Sequence, residues 1–417
     1  MTPDRTNVEN RTGYPNVPVV YLDTQDFSRF GDVLRGKEDA DTERLFLTIE
    51  EKAKSKAAIF PVSMPILSEL LQYNSDYRET TMRKAEAVER LCGTWALAFP
   101  QRLIAAEIAG FAGSLGEPIK DHRPVLSSDR EWFPDISSSL SNFGAELKDS
   151  IADEMAKKAL VGRKMRRMAK SEIRRLDPAG AMERIAPEIA ARYGIPVAAV
   201  SGSIVALLRG RISADDASRR LFGAIAHPVT FVEVYFEKVL DNNSELPSWM
   251  SSLGERLQNN FVDLRNVLRP LLSLPGAREK TEAMLVDWRA TMGTAVLEMA
   301  AGATEPFGID PAMVTRLAAA DGFLDKVPSA YIVGRVMTSY VRQIIGLSGK
   351  EANVERSFGG DIVHALYLPH VDLWRGDRRF SAVVTNAAPR YAQRVVPLLK
   401  NLPEKIDAWH VGARGMG

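Results

Sequence analysis

Residues 17–30 read VPVVYLDTQDFSRF. The β-branched, apolar run Val17 to Leu22 closes on a carboxylate, Asp23. That pattern predicts a fully buried strand with an acid at its carboxyl end. Working outward, residues 39–55 are charged with Leu45, Leu47 and Ile49 interspersed, the texture of a helix. Ala57 to Val62 (AAIFPV) is a second candidate strand. Ser63 then offers an N-cap, Pro65 sits just inside, and ILSELLQY continues as a helix. Residues 78–93 and 100–112 read as two more amphipathic helices. Strand, helix, strand, helix favours a parallel sheet covered by helices.

The texture changes beyond this point. Residues 116–138 (GEPIKDHRPVLSSDREWFPDISS) are rich in proline and polar groups and read as a connection. From 139 to 325 the periodicity is helical, broken at Pro178–Gly180, Gly194–Pro196, Pro228, Pro247, Pro275–Gly276 and Gly308–Pro311. At ordinary helix lengths this is roughly six to eight helices. The last ninety or so residues return to mixed texture. Residues 327–346 and 361–367 read as helices, Val371 to Trp374 (VDLW) as a short buried strand, 378–387 as a helix and Arg394 to Pro397 as an edge strand. The expected fold class is therefore α/β. A three-layer, parallel-sheet domain is built from both chain ends (16–115 and 327–417), with an all-α insertion over 116–326 and a flexible tail over 1–15.

Composition narrows the function classes. With 417 residues, 45% hydrophobic and 26% charged, the chain is long enough for two or three domains and is neither disordered nor collagen-like. A net charge of +1 gives no global basic footprint, so any nucleic-acid contact must be local. The single cysteine, Cys92, excludes an internal disulfide framework and a multi-cysteine zinc site. The polar start MTPDRTNVENRTGYP lacks the apolar core of a secretory signal, and no apolar run is long enough to span a membrane. A soluble, cytoplasmic protein is expected. There is no P-loop, no G-x-S-x-G elbow and no dinucleotide-binding glycine pattern after a strand.

Chemistry concentrates in acids beside the candidate strand ends. Asp23 ends the first strand, Glu69 lies in the helix after the second, Asp361 starts a helix and Asp377 follows the VDLW strand. In a parallel α/β sheet, ligands bind outside the carboxyl ends of the strands. Carboxylates gathered there repel unless a cation neutralises them, and hard oxygen ligands suit Mg²⁺ or Mn²⁺. Asp372 and Glu107 are auxiliary candidates. His364 and His370 are six residues apart with Pro369 between, which is not the spacing of a helical zinc pair. His364 is expected to pack beside Asp361, and His370 to lie in a loop.

The pieces VVYLDTQDFSRF, PVSMPILSELL, GDIVHALYLPHVDLW and RGDRRF, in that order, resemble the four motif blocks of PIN-domain nucleases. The resemblance covers about residues 17–112 and 327–400 and leaves the middle block unmatched. It implies a PIN-like domain and a metal-dependent phosphodiesterase acting on RNA. Asp23, Glu69, Asp361 and Asp377 would hold one or two Mg²⁺ or Mn²⁺ ions that activate water and polarise the scissile phosphoryl group. Thr24 and Ser28 would orient ligands by hydrogen bonds. Gln25 stands where the family commonly has Asn, and Arg375-Gly376 replaces the usual hydroxyl before the last acid. Both departures bear on how ligands are oriented rather than on the acids themselves.

Two basic features fit a nucleic-acid partner, RNA first. Residues 157–175 carry Lys157, Lys158, Arg163, Lys164, Arg166, Arg167, Lys170, Arg174 and Arg175 against Glu172 alone, a net +8. Contact from such a run is largely sequence-independent and salt-sensitive. Arg375, Arg378 and Arg379 flank Asp377 and are placed to hold phosphate near the cation. A membrane is not expected, and a homo-oligomer is compatible with this reading. The alternatives are a non-catalytic PIN-like module that binds RNA or a protein, and a defence nuclease that cleaves DNA.

Overall fold

The computed structural model describes residues 16–71, 74–120, 124–137, 139–143, 145, 177–193, 195–240, 262–270, 276–300, 303–344 and 358–414. The expected tail over 1–15 and the basic run 157–175 lie outside these residues. The chain divides into two compact units, one formed by 1–132 with 244–417 and one by 133–243.

The three-layer α/β architecture with a parallel sheet does not form. Among the described residues, sheet structure is confined to two small sheets of two strands each, and helices dominate. In the larger unit, β1 (Val20–Tyr21) pairs in parallel with β4 (Leu373–Trp374), and β2 (Ala96–Leu97) pairs antiparallel with β3 (Leu126–Ser127). Elsewhere the expected strands give only isolated parallel bridges, Val19 to Ile59, Val62 to Ala96 and Trp374 to Val395. Proline explains much of the shortfall. Pro18, Pro61 and Pro397 sit in or beside the candidate strands, and each removes a backbone donor that a ladder needs. The apolar runs are buried as expected, with Val19, Val20, Tyr21 and Trp374 fully inaccessible, but burial alone does not extend a ladder.

The helices follow local signals. α1 (Thr24–Leu34) starts directly after Asp23, whose backbone N–H donates to Asp26 Oδ2 at 3.3 Å. α2 (Ala40–Lys54) is capped by Asp39, which accepts the Thr42 N–H at 2.7 Å. α3 (Met64–Leu70) has Pro65 in its first turn. α4 (Arg78–Cys92) and α5 (Pro100–Ser114) complete the first half of this unit. From the second half come the helices Ala277–Met299, Pro328–Ile344, Phe358–Ala365, Arg378–Ala387 and Leu402–Arg414. Ala277–Met299 and Pro328–Ile344 pack against each other. A Cβ on Gly334 would lie 3.1 Å from the Arg289 carbonyl oxygen, so the missing side chain permits this close approach.

The smaller unit is helical, with Pro178–Tyr193, Ala214–Gly223 and Pro228–Val234 among its elements. Met182, Ala186 and Ala190 recur every four residues along the first of these. They bury one face against Val200, Ile204, Val205 and Leu221.

Candidate metal centre

Three segments distant in sequence meet at one point of the larger unit. Asp23 follows β1, Glu69 lies near the end of α3, and His364 lies in the helix Phe358–Ala365. Each offers a ligand atom, and these atoms all lie within 4.8 Å of one another. Around a cation with bonds of ~2.1 Å, ligand atoms stand ~3 to ~4.2 Å apart. A small inward movement would therefore close the set. Two carboxylates and an imidazole fit Mn²⁺ better than Mg²⁺, because nitrogen is the softer donor.

The imidazole is held at both ring nitrogens, and the residue's backbone is fastened as well. His364 Nε2 is 3.0 Å from Glu69 Oε2, and Nδ1 is 2.6 Å from the Tyr21 hydroxyl. The His364 carbonyl accepts the Trp374 Nε1–H at 3.1 Å. Tyr21 in turn lies 3.0 Å from Ser63 Oγ and stacks on Tyr367 with ring centroids 5.3 Å apart. In the protonated ring Nε2–H donates to Glu69 and Nδ1–H to the Tyr21 oxygen, and loss of the Nε2 proton would leave a lone pair free for a cation. A hydrogen-bond partner on the far nitrogen, as Tyr21 is here, fixes the orientation of a metal-binding histidine ring.

The electrostatics describe a site short of positive charge. Burial raises the Asp23 carboxyl, and Glu69 adds to the rise while His364 and Arg375 oppose it. Burial, with Asp23, Glu69 and Asp377 nearby, pushes Asp361 up to about 7. Burial alone would lower His364, but Glu69, Asp23 and Asp361 outweigh it and push the ring up to about 9. Glu69 is the exception among the acids. Burial would raise it, yet the charge and hydrogen bond of His364 hold it below its usual value. Protonated His364 thus stands where a divalent cation would do the same neutralising work.

The residues expected from the sequence separate into groups. Asp23 and Glu69 come together, and Asp361 lies one helical turn before His364, within electrostatic range of both. Asp377 acts on Asp361, but its Oδ1 also caps the helix Arg378–Ala387, accepting the N–H groups of Arg379 at 2.8 Å and Phe380 at 3.1 Å. Thr24 is buried beside Glu69, and Ser28 sits half-buried one turn further along α1. Arg378 and Arg379 are exposed.

The two auxiliary acids do other work. Asp372 Oδ2 accepts the Val19 N–H at 2.9 Å, fastening the approach to β1. Glu107 is buried with its two oxygens divided between His370 Nε2, at 2.6 Å, and the Ser329 N–H, at 2.7 Å. The nine basic residues of 157–175 lie outside the described residues.

His364 is the candidate ligand that the sequence reading did not include. The signal was present. Asp361 and His364 are three apart, which puts both on one face of a helix, whereas His364 and His370 do not share one. Compared with protein-family models, curated proteins and solved structures, the chain matches none. Among the described residues no helix is long and apolar enough to cross a membrane.

Proposed function

We propose that this centre binds a divalent cation, Mn²⁺ or Mg²⁺, and hydrolyses phosphodiester bonds of nucleic acid, RNA first. The observation that carries the reading is the convergence of Asp23, Glu69 and His364 from three distant segments, with Asp361 one turn away. Asp23, Glu69 and His364 would hold the cation, and Asp361 would supply a further oxygen or a proton acceptor beside it. A cation bound there polarises phosphoryl oxygens and makes water more acidic. Tyr21, itself hydrogen-bonded with Ser63, holds the His364 ring in orientation. The preference for RNA rests on the motif resemblance, and the basic run 157–175 supports a polyanionic substrate.

The test is cleavage of labelled single-stranded RNA, structured RNA and duplex DNA with Mn²⁺, Mg²⁺ or chelator. Cleavage should require the cation and should be lost in Asp23→Asn and Glu69→Gln. Equal cutting by parent and variants would refute the reading. One observation favours a second possibility, a non-catalytic RNA- or protein-binding module. The His364–Glu69 pair at 3.0 Å neutralises part of the cluster without any cation. Titration with Mn²⁺ separates the two, since the module needs no metal.

A further inference from the structure

Arg375 stands next to this centre with its charge only partly used. Its side chain is 9% exposed, and Nη2 lies 3.3 Å from Asp26 Oδ1. Nε and Nη1 are buried and have no hydrogen-bond partner. Among the described residues no other side chain leaves two buried polar atoms unpartnered. The same fold satisfies a comparable buried arginine, since Arg102 donates to Glu131 at 3.1 Å and to the Pro124 carbonyl at 3.4 Å. Buried donors without acceptors are costly, and more so on a charged group.

The backbone fixes where this group lies. The Arg375 N–H donates to the Tyr21 carbonyl at 2.9 Å, extending the β1–β4 pairing in which Tyr21 faces Trp374. Arg375 therefore leaves β4 beside the point where Asp23 leaves β1. Its charge reaches the Asp23 carboxyl. Gly376 makes the turn possible, because a Cβ there would enter the Trp374 ring. Arg378 and Arg379, by contrast, are exposed.

We propose that Arg375 is the phosphate-holding residue of this centre, its Nε–H and Nη1–H donating to the non-bridging oxygens of an anionic phosphoryl group beside Asp23. Charge-assisted hydrogen bonds from guanidinium to phosphate are among the stronger polar contacts. The identity of the substrate rests on the phosphodiester reading above. The anion site itself rests only on the unpartnered guanidinium.

The experiment titrates inorganic phosphate into the full-length protein by calorimetry, with and without Mg²⁺, and titrates Mn²⁺ separately. The variant is Asp26→Asn/Arg375→Met, which removes the buried pair together so that neither charge is stranded. It should bind phosphate at least about tenfold more weakly while Mn²⁺ affinity stays within about threefold. Should that variant fail to fold, Arg375→Lys keeps the charge but not the guanidinium geometry, and it should lose phosphate affinity several-fold.

A parent protein that takes up no phosphate at millimolar concentration in either condition overturns the proposal. So do variants that bind phosphate like the parent. Phosphate binding lost on substitution in a protein that binds no Mn²⁺ would refute the metal reading and leave the anion site standing. Mn²⁺ binding without phosphate binding would do the reverse.

Discussion

Cation binding at this centre should expel a proton, and the size of the effect follows from His364. Its ring, pushed up to about 9 by Glu69, Asp23 and Asp361 against the opposing effect of burial, is almost wholly protonated at neutral pH. A metal ligand must be the neutral imidazole. Two pH units below that value, removing the proton costs about 2.7 kcal/mol, or about a hundredfold in apparent affinity. The apparent Mn²⁺ dissociation constant should therefore fall about tenfold per unit between about pH 7 and about pH 8.5.

Below about 7 the dependence should steepen, because Asp361 also takes up a proton there. The assay is calorimetry of Mn²⁺ binding in two buffers of different ionisation enthalpy, which reads proton release directly. About one proton per Mn²⁺ is expected near pH 8. His364→Gln should approach the parent near pH 7, fall behind as pH rises, and show a shallower slope. Equal affinity across this range in the parent, or no proton released, would refute His364 as a ligand. The metal-free protein gives an independent check on sign. A histidine raised in the folded state contributes stability that is full below about 6.5 and is lost as pH climbs through about 9.

Further outcomes are expected elsewhere in the larger unit. Glu107→Ala strands the Ser329 N–H and His370, so urea denaturation should show a loss of about 3 kcal/mol. Its Mn²⁺ affinity should not change, and a tenfold drop would place Glu107 in the site after all. Gly376→Ala forces the buried Trp374 ring to move and should cost about 1–3 kcal/mol by the same measurement, with phosphate binding weakened as Arg375 shifts. Asp26 is pushed up to about 7 by burial, with Asp23 adding to the rise and Arg375 opposing it. The folded state then holds this proton more tightly than the unfolded chain between about 4 and about 7, so its contribution to stability falls as pH rises through that window. Asp26→Asn strands Arg375 and should lose stability at low pH, but its deficit relative to the parent should shrink as pH rises through that window. A difference independent of pH would show that Asp26 is ionised throughout.

The sequence by itself determined which segments are helical and which acids to watch. Capping and periodicity are local. Pro65 lies in the first turn of α3 as read, although the Ser63 hydroxyl pairs with Tyr21 and does not cap it. The run at 378–387 becomes the helix Arg378–Ala387, capped by Asp377, which was read as a cation ligand. Strand extent was not legible, because an apolar run reports burial and not a hydrogen-bond ladder. Val17 to Leu22 is buried as expected, yet only Val20–Tyr21 is paired as a strand, and β2 and β3 were not anticipated at all. The division of labour among the acids belonged to tertiary structure. Asp372 and Glu107 look like ligands in sequence but are committed to backbone N–H groups and His370, while His364 joins Asp23 and Glu69. Partners separated by about three hundred residues leave no periodic trace in a chain. Their meeting is decided by packing, because side-chain hydrogen bonds and charge pairs form only between groups that the fold brings within a few ångströms.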